Sequence, residues 1–171
     1  DFCLSRGLGD VYKRQVHFWA DGVGTYTPPG HWNAIAADDF INQRYSEVRW
    51  ARNMALLNMA LMDAAIACWD AKSLYYNPRP SQVDSRIKTL TGLPNFPAYT
   101  SGHSTFSGAA ATILGHLLPA RKATYEAMAK EASLSRLYGA IHYRADIDEG
   151  LIHGNRIGGF AVNRAVADGA E

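Results

Sequence analysis

Apolar and polar positions along the chain follow a helical period wherever they are regular. No alternating run is long enough for a strand. Asn33 to Asn42 predicts a short helix. Ser46 is placed to cap a second, with Glu47 in its first turn, where a carboxylate suits the positive end of the helix dipole. This second helix is predicted to run to about Ala71. Its Ala, Leu and Met residues make it apolar on most faces, the pattern of a central bundle helix. Lys72 to Tyr99 carries Pro78, Pro80, Pro94 and Pro97 and is predicted to be mostly irregular. A connection that long inside a compact domain is more often functional than not. Ser104 to Leu118 predicts a helix of small and apolar residues, stopped by Pro119. A more polar helix is predicted from about Ala120, and a last one from about Tyr143 to Ala167. The expected fold is all-α: a bundle of four or five helices with one long proline-rich connection.

The start of the chain fits this pattern less well. Residues 1–15 show no clear period, and their DVYKRQ end resembles translated adapter sequence joined to a gene fragment. We expect 1–15 to be non-native or disordered and 16–171 to be the C-terminal, catalytic part of a helical domain whose N-terminal part is missing. From Val16 to Trp32 the chain is rich in Gly, Pro and Thr, and Pro28-Pro29-Gly30 is predicted to block regular structure. Its aromatics, Phe18, Trp19, Tyr26 and Trp32, suggest a loop packed on a core.

Composition narrows the function by exclusion. With 47% apolar residues the chain is not disordered. Its 17 basic and 16 acidic residues give a formal net charge of +1, which favours neither nucleic acid nor a membrane surface as partner. Charges that serve function must therefore be local. No segment reads as a membrane span, because Met54 to Trp69 is interrupted by Asn58 and Asp63. Cys3 and Cys68 make neither a disulfide framework nor a metal spacing, and Cys68 is expected to be a buried thiol. Oligomeric state is not readable.

Three clusters could carry chemistry. In AKSLYYNPRP, prolines on both sides push Arg79 toward extended backbone, which would fix a guanidinium for bidentate anion contact, with Lys72 seven residues earlier. The other reading is a surface Lys and Arg near a turn. In Thr100-Ser101-Gly102-His103, ahead of an Ala-rich helix, free N–H groups and a Ser hydroxyl could bind an anion, and His103 could move a proton. An ordinary helix start looks the same. In SRLYGAIHYRAD, His142 and Asp146 are four apart and would share a helix face, so the carboxylate could set the tautomer of the imidazole. Arg136 lies about 120° away on a straight helix, so Gly139 is expected to mark a break that turns both inward. The plain alternative is a surface His–Asp pair. Taken together, the residues match a tetrahedral oxyanion with one apical position. His116 is expected to be structural. His17, His31 and His153 have no metal spacing, although His31 could cap the pocket.

KSLYYNPRP, FPAYTSGHSTFSGAA and SRLYGAIHYRAD resemble, in order, the three signature motifs of the type 2 phosphatidic acid phosphatase and vanadium-dependent haloperoxidase superfamily. The second departs once, with Thr100 where the family usually has Pro. FWADGVGTYTPPGHWN looks like the soluble, haloperoxidase-like branch. The resemblance implies that Lys72, Arg79 and Arg136 hold equatorial oxygens and that Ser101 and the Gly102 amide donate hydrogen bonds. It also implies that His142 takes the apical position, with His103 as acid/base, Asp146 orienting His142 and Phe96 as an apolar wall. Two activities follow from one cradle. With vanadate as cofactor, hydrogen peroxide would oxidise a halide, with His103 taking a proton and Lys72 polarising the peroxide. With phosphate in its place, His142 would attack a phosphoester to give a phospho-histidine. The first is the expected activity and the phosphatase the alternative. A non-catalytic helical bundle is the reading from a third class. The partner is a small molecule in either enzyme reading.

Overall fold

The computed structural model describes residues 9–169, and these are helical with no strand among them. The helices are α1 (Asp10–Phe18), α2 (Thr27–Ile41), α3 (Glu47–Tyr75), α4 (Pro80–Val83), α5 (Gly102–Leu117), α6 (Lys122–Tyr138) and α7 (Arg144–Ala167), with a 3-10 turn at Pro119–Arg121. The all-α expectation holds.

α5 is the centre. α3, α6 and α7 pack around it, and α2 closes one side. Leu57, Leu61, Phe106, Ile113, Leu114 and Tyr125 meet in one buried core. The α5–α7 contact is close because glycine makes it so. A Cβ on Gly154 would fall 2.1 Å from the Thr105 carbonyl oxygen, and one on Gly150 would meet Ser104 Cβ at 2.9 Å. Polar ties fix the register of the bundle. Trp32 Nε1 donates to Ser107 Oγ at 2.9 Å, and Ser104 Oγ and Ser133 Oγ bond at 2.7 Å.

Several expected boundaries shift. Ser46 does cap α3, accepting from Arg49 N at 3.3 Å, but the helix runs past Ala71 to Tyr75 and ends on Tyr76 in left-handed backbone. α2 begins at Thr27 rather than Asn33, with Pro28 and Pro29 inside its first turn. First-turn N–H groups have no intrahelical acceptor, so proline there starts a helix instead of blocking one. Residues 10–15 of the stretch set aside on pattern are also helical, and the helix continues to Phe18, into the segment expected to be a loop. α1 packs on α6, with Val16 buried and Gln15 Nε2 donating to Glu131 Oε2 at 3.1 Å. Residues 1–8, and Cys3 with them, lie outside the described residues. Cys68 is buried and free. By length and composition Glu47–Val83, taken as one stretch, is long and apolar enough to cross a membrane, a test that the core helix of a soluble bundle also passes.

Candidate active site

The three clusters come together at one end of α5. Arg79, Phe96, Gly102, His103, Arg136 and His142 line one cavity of about 850 Å³. Trp69, Phe106 and Ile141 supply apolar wall, and Pro28, Pro29 and Gly22 form part of its edge. Lys72, Ser101 and Asp146 stand behind this wall rather than on it.

Each local backbone explains its side chain. Arg79 is extended (φ −74°, ψ 155°), as its flanking prolines require, and leads into α4. Its Nη1 donates to the Ile141 carbonyl at 2.8 Å and its Nε to the Phe96 carbonyl at 3.1 Å. Ser101 is the N-cap of α5, its Oγ accepting from Ser104 N, while its own N–H donates to the Asp146 carbonyl at 2.9 Å. The Gly102 and His103 N–H groups are the first of α5 and have no acceptor within the helix. A Cβ on Gly102 would have nothing nearer than the Phe106 ring at 3.8 Å, so glycine here keeps the cavity side of the helix start open.

Arg136 sits in the last turn of α6, and Gly139 ends that helix, the break expected from sequence. His142 is not on a helix with Asp146, however. It lies in the short connection before α7, and Asp146 is in the first turn of α7. Their pairing comes from the helix start. Asp146 Oδ2 accepts from Tyr143 N and from His142 Nδ1, both at 3.0 Å. A carboxylate only accepts, so Nδ1 carries the hydrogen. Nε2 then holds a lone pair, which accepts from Arg79 Nη1 at 3.0 Å. Burial, then Arg79, Lys72 and Arg136, hold His142 well below the usual histidine range, so it is neutral.

Lys72 is differently placed from its expected role at the anion. All three of its ammonium hydrogens meet carbonyls, those of Pro97 (2.7 Å), Ala98 (3.1 Å) and Thr100 (2.6 Å). Burial pulls its amine down to about 8. Phe96 covers both Lys72 and Arg79, its ring centroid 5.2 Å from Nζ and from Cζ. Burial also lowers Arg79 and Arg136 to about 10. Arg136 Nη2 donates to the Val16 carbonyl at 2.7 Å, which ties α1 to the site.

One residue that the motifs did not show is Asp21. Nearly buried, it accepts from His31 Nδ1 at 3.0 and 3.2 Å and stands 3.7 Å from His103 Nε2. His31 is therefore no cap on the cavity. It packs under Asp21 against the rings of Phe18, Trp19 and Tyr26. The signal available in sequence was an acid between Trp19 and Gly22 in a loop rich in turn residues, which has no fixed spacing to any motif.

Three buried cations thus face two carboxylates, Asp146 behind His142 and Asp21 behind His103. A buried charge needs a partner, and this donor set is one positive charge over balance. The N–H groups at the α5 start and the neutral Nε2 of His142 complete a set that suits a tetrahedral oxyanion such as vanadate or phosphate.

Residues 52–167 match the PAP2 superfamily, and the chain belongs to it. It is 32% identical over 123 residues to vanadium chloroperoxidase of Curvularia inaequalis, an alignment covering 54% of this chain and 20% of that protein. A bacterial vanadium-dependent iodoperoxidase superposes with a TM-score of 0.86 at 29% identity, over 95% of this chain and 47% of that one. Aquifex aeolicus LpxE shares the fold, with a TM-score of 0.73 at 19% identity, over 94% of this chain and 91% of that one. The chain spans about half the length of the iodoperoxidase and a fifth of the chloroperoxidase.

Proposed function

We propose that this chain carries the oxyanion site of a vanadium-dependent haloperoxidase-like enzyme, acting on hydrogen peroxide and a halide. The observation that carries this reading is His142: a neutral imidazole whose Nδ1–H is held by Asp146 and whose Nε2 lone pair lies among desolvated cations. Its likeness to the chloroperoxidase and the iodoperoxidase supports the vanadate branch of the superfamily. When bound, vanadate supplies the oxidation of halide by peroxide. The residues of the chain do the rest. Arg79 and Arg136 would offer guanidinium donors to the bound oxyanion, Ser101 and the Gly102 amide would add hydrogen bonds at the helix start, and His142 Nε2 would hold its centre. His103 moves the proton. Lys72, one layer back, contributes positive charge through Phe96 and the carbonyls it organises.

The same lone pair would serve as a nucleophile on a phosphoester, with His103 protonating the leaving group. Two parallel assays separate these activities: halide oxidation by peroxide with added vanadate, and hydrolysis of an aryl phosphate without it. Vanadate-dependent halide oxidation is the expected result. Phosphate hydrolysis alone would assign the chain to the phosphatase side, and silence in both, with no anion binding, would leave a helical bundle without catalysis.

A further inference from the structure

We propose that Asp21, held in place by His31, fixes His103 as its Nε2–H tautomer and so leaves Nδ1 as the nitrogen that exchanges a proton in the cavity. The inference rests on the reading of His103 as the acid/base, and it adds the two residues that would set its state.

The starting point is an orphan. His103 borders the cavity, yet its Nε2 is buried and meets no hydrogen-bond partner among the described residues. A buried ring nitrogen without a partner costs free energy and calls for an explanation. The nearest charged atom is Asp21 Oδ2 at 3.7 Å, an ion-pair distance rather than a hydrogen bond. A carboxylate can only accept. A bare Nε2 lone pair facing it would be repelled, whereas Nε2–H is attracted and needs to close by less than an ångström. Bonds at catalytic groups are often long until substrate is in place.

What holds Asp21 there is His31. Asp21 has left-handed backbone (φ 44°), an orientation that Asp tolerates better than most residues, and this turns its carboxylate inward. Both of its oxygens lie within reach of His31 Nδ1, at 3.0 and 3.2 Å. The His31 ring has little freedom to turn, with Trp19 at 4.5 Å and Phe18 at 4.8 Å between centroids. Nδ1 of His31 must therefore carry its hydrogen, and one carboxylate fixes two histidines in opposite tautomers: Nδ1–H at His31 and Nε2–H at His103. Burial first, then Arg136 and the His142 and His31 rings, oppose a positive charge on His103, and only the backbone of Trp19, placed to take a hydrogen bond from the ring, favours one. His103 accordingly rests neutral, and a neutral imidazole has a tautomer to choose. The arrangement parallels the Asp146–His142 pair, where the carboxylate holds Nδ1 and leaves Nε2.

The test reads the tautomer directly. The full chain is labelled with ¹⁵N-histidine, and long-range ¹H–¹⁵N correlations are recorded near neutral pH, with assignments from His→Gln variants. Wild-type protein should show His103 as Nε2–H and His31 as Nδ1–H. Asp21→Ala should remove the single His103 tautomer, giving a mixture or the Nδ1–H form; if that variant does not fold, Asp21→Gly, which also lacks an acceptor and suits the left-handed backbone there, is read the same way. His31→Phe, which lacks the donor, should also lose it, and His31→Gln, which keeps an N–H, should restore it. His103 found as Nδ1–H in wild type, or unchanged in the Asp21 variant, overturns the proposal. An unchanged His103 in His31→Phe removes His31 from it. Turnover is a separate readout: expected tautomers together with full activity in His103→Ala would leave the pairing standing and sink the acid/base reading instead.

Discussion

At His142 the directions of two hydrogen bonds define what the residue can do. Asp146 holds Nδ1–H, so Nε2 keeps the lone pair, which Arg79 Nη1 engages here and would release to a metal centre or a phosphorus atom. His142→Ala should therefore abolish tight vanadate binding. The His103 ring makes no hydrogen bond to Arg79, Arg136 or His142, so His103→Ala should keep much of the affinity while turnover falls about 10²–10⁴-fold, as for loss of a general acid/base. Asp146→Asn should lie between the two. Calorimetric vanadate affinity measured beside turnover checks all three, and loss of binding in His103→Ala with normal binding in His142→Ala would exchange the roles. The same two histidines make stability depend on pH. Both are held neutral well below the usual range, first by burial, whereas in the unfolded chain they titrate near 6.5. A depressed native pKa lends stability above the unfolded value, and that stability is lost as pH falls. The free energy of unfolding should decline below about pH 6.5, with a slope approaching ~2.7 kcal/mol per pH unit for two protons. Asp21 and Asp146, raised by burial, work in the opposite sense as pH falls toward 3.8, so the decline is steepest just below 6.5. Urea titrations at pH 7.5, 6.5 and 5.5 measure it, and His103→Gln should reduce the slope by about one proton.

At the scale of elements, the α5–α7 contact decides whether the site exists. It brings Ser101 N onto the Asp146 carbonyl and so joins two of the three motifs. Gly154→Ala forces a Cβ to within 2.1 Å of a carbonyl oxygen on α5. The expected cost is about 3 kcal/mol or more, at the upper end for overpacking. Gly159→Ala, on the same helix with nothing within 4 Å, should be neutral or stabilise by up to ~1 kcal/mol through helix propensity. Denaturant midpoints of the two variants form the comparison, and equal midpoints would mean that the helices do not approach this closely. α1 makes the second prediction. Its Val16 carbonyl accepts from Arg136, and Trp19 Nε1, just beyond it, donates to Glu131 at 3.0 Å. A chain shortened to begin at Trp19 should melt several degrees lower and bind vanadate more weakly, because Arg136 loses its anchor. An unchanged melting temperature would show that the helix adds nothing to the fold.

Across the whole molecule, charge is close to balanced at +1, yet Lys72, Arg79 and Arg136 are gathered in one buried region. Donors of that kind recognise shape and charge. Vanadate and phosphate should therefore compete for one site, each weakening the other in isothermal titration, and independent binding would contradict a shared cradle. The helical class, the capping Ser46, the break at Gly139 and the extended Arg79 were legible in the sequence, because each follows from a residue's own backbone preference or from a short period. So were the three motifs, whose order and residue types placed the chain in its superfamily. Other features were set by contacts between segments far apart in the chain. The Pro28-Pro29 pair can stop a helix or start one, and here the helix that it opens buries Trp32 and Phe40 in the core. Residues 10–18 are helical against α6 despite their poor pattern. Lys72 turns from the cavity to three carbonyls of the long connection. Asp21, 82 residues from His103 in the chain, meets it only because the loop before α2 folds over the start of α5. Local preferences act within a few residues and can be read along the chain. The partner of a buried charge is chosen by whatever the packed helices bring within reach, and only the tertiary structure decides that.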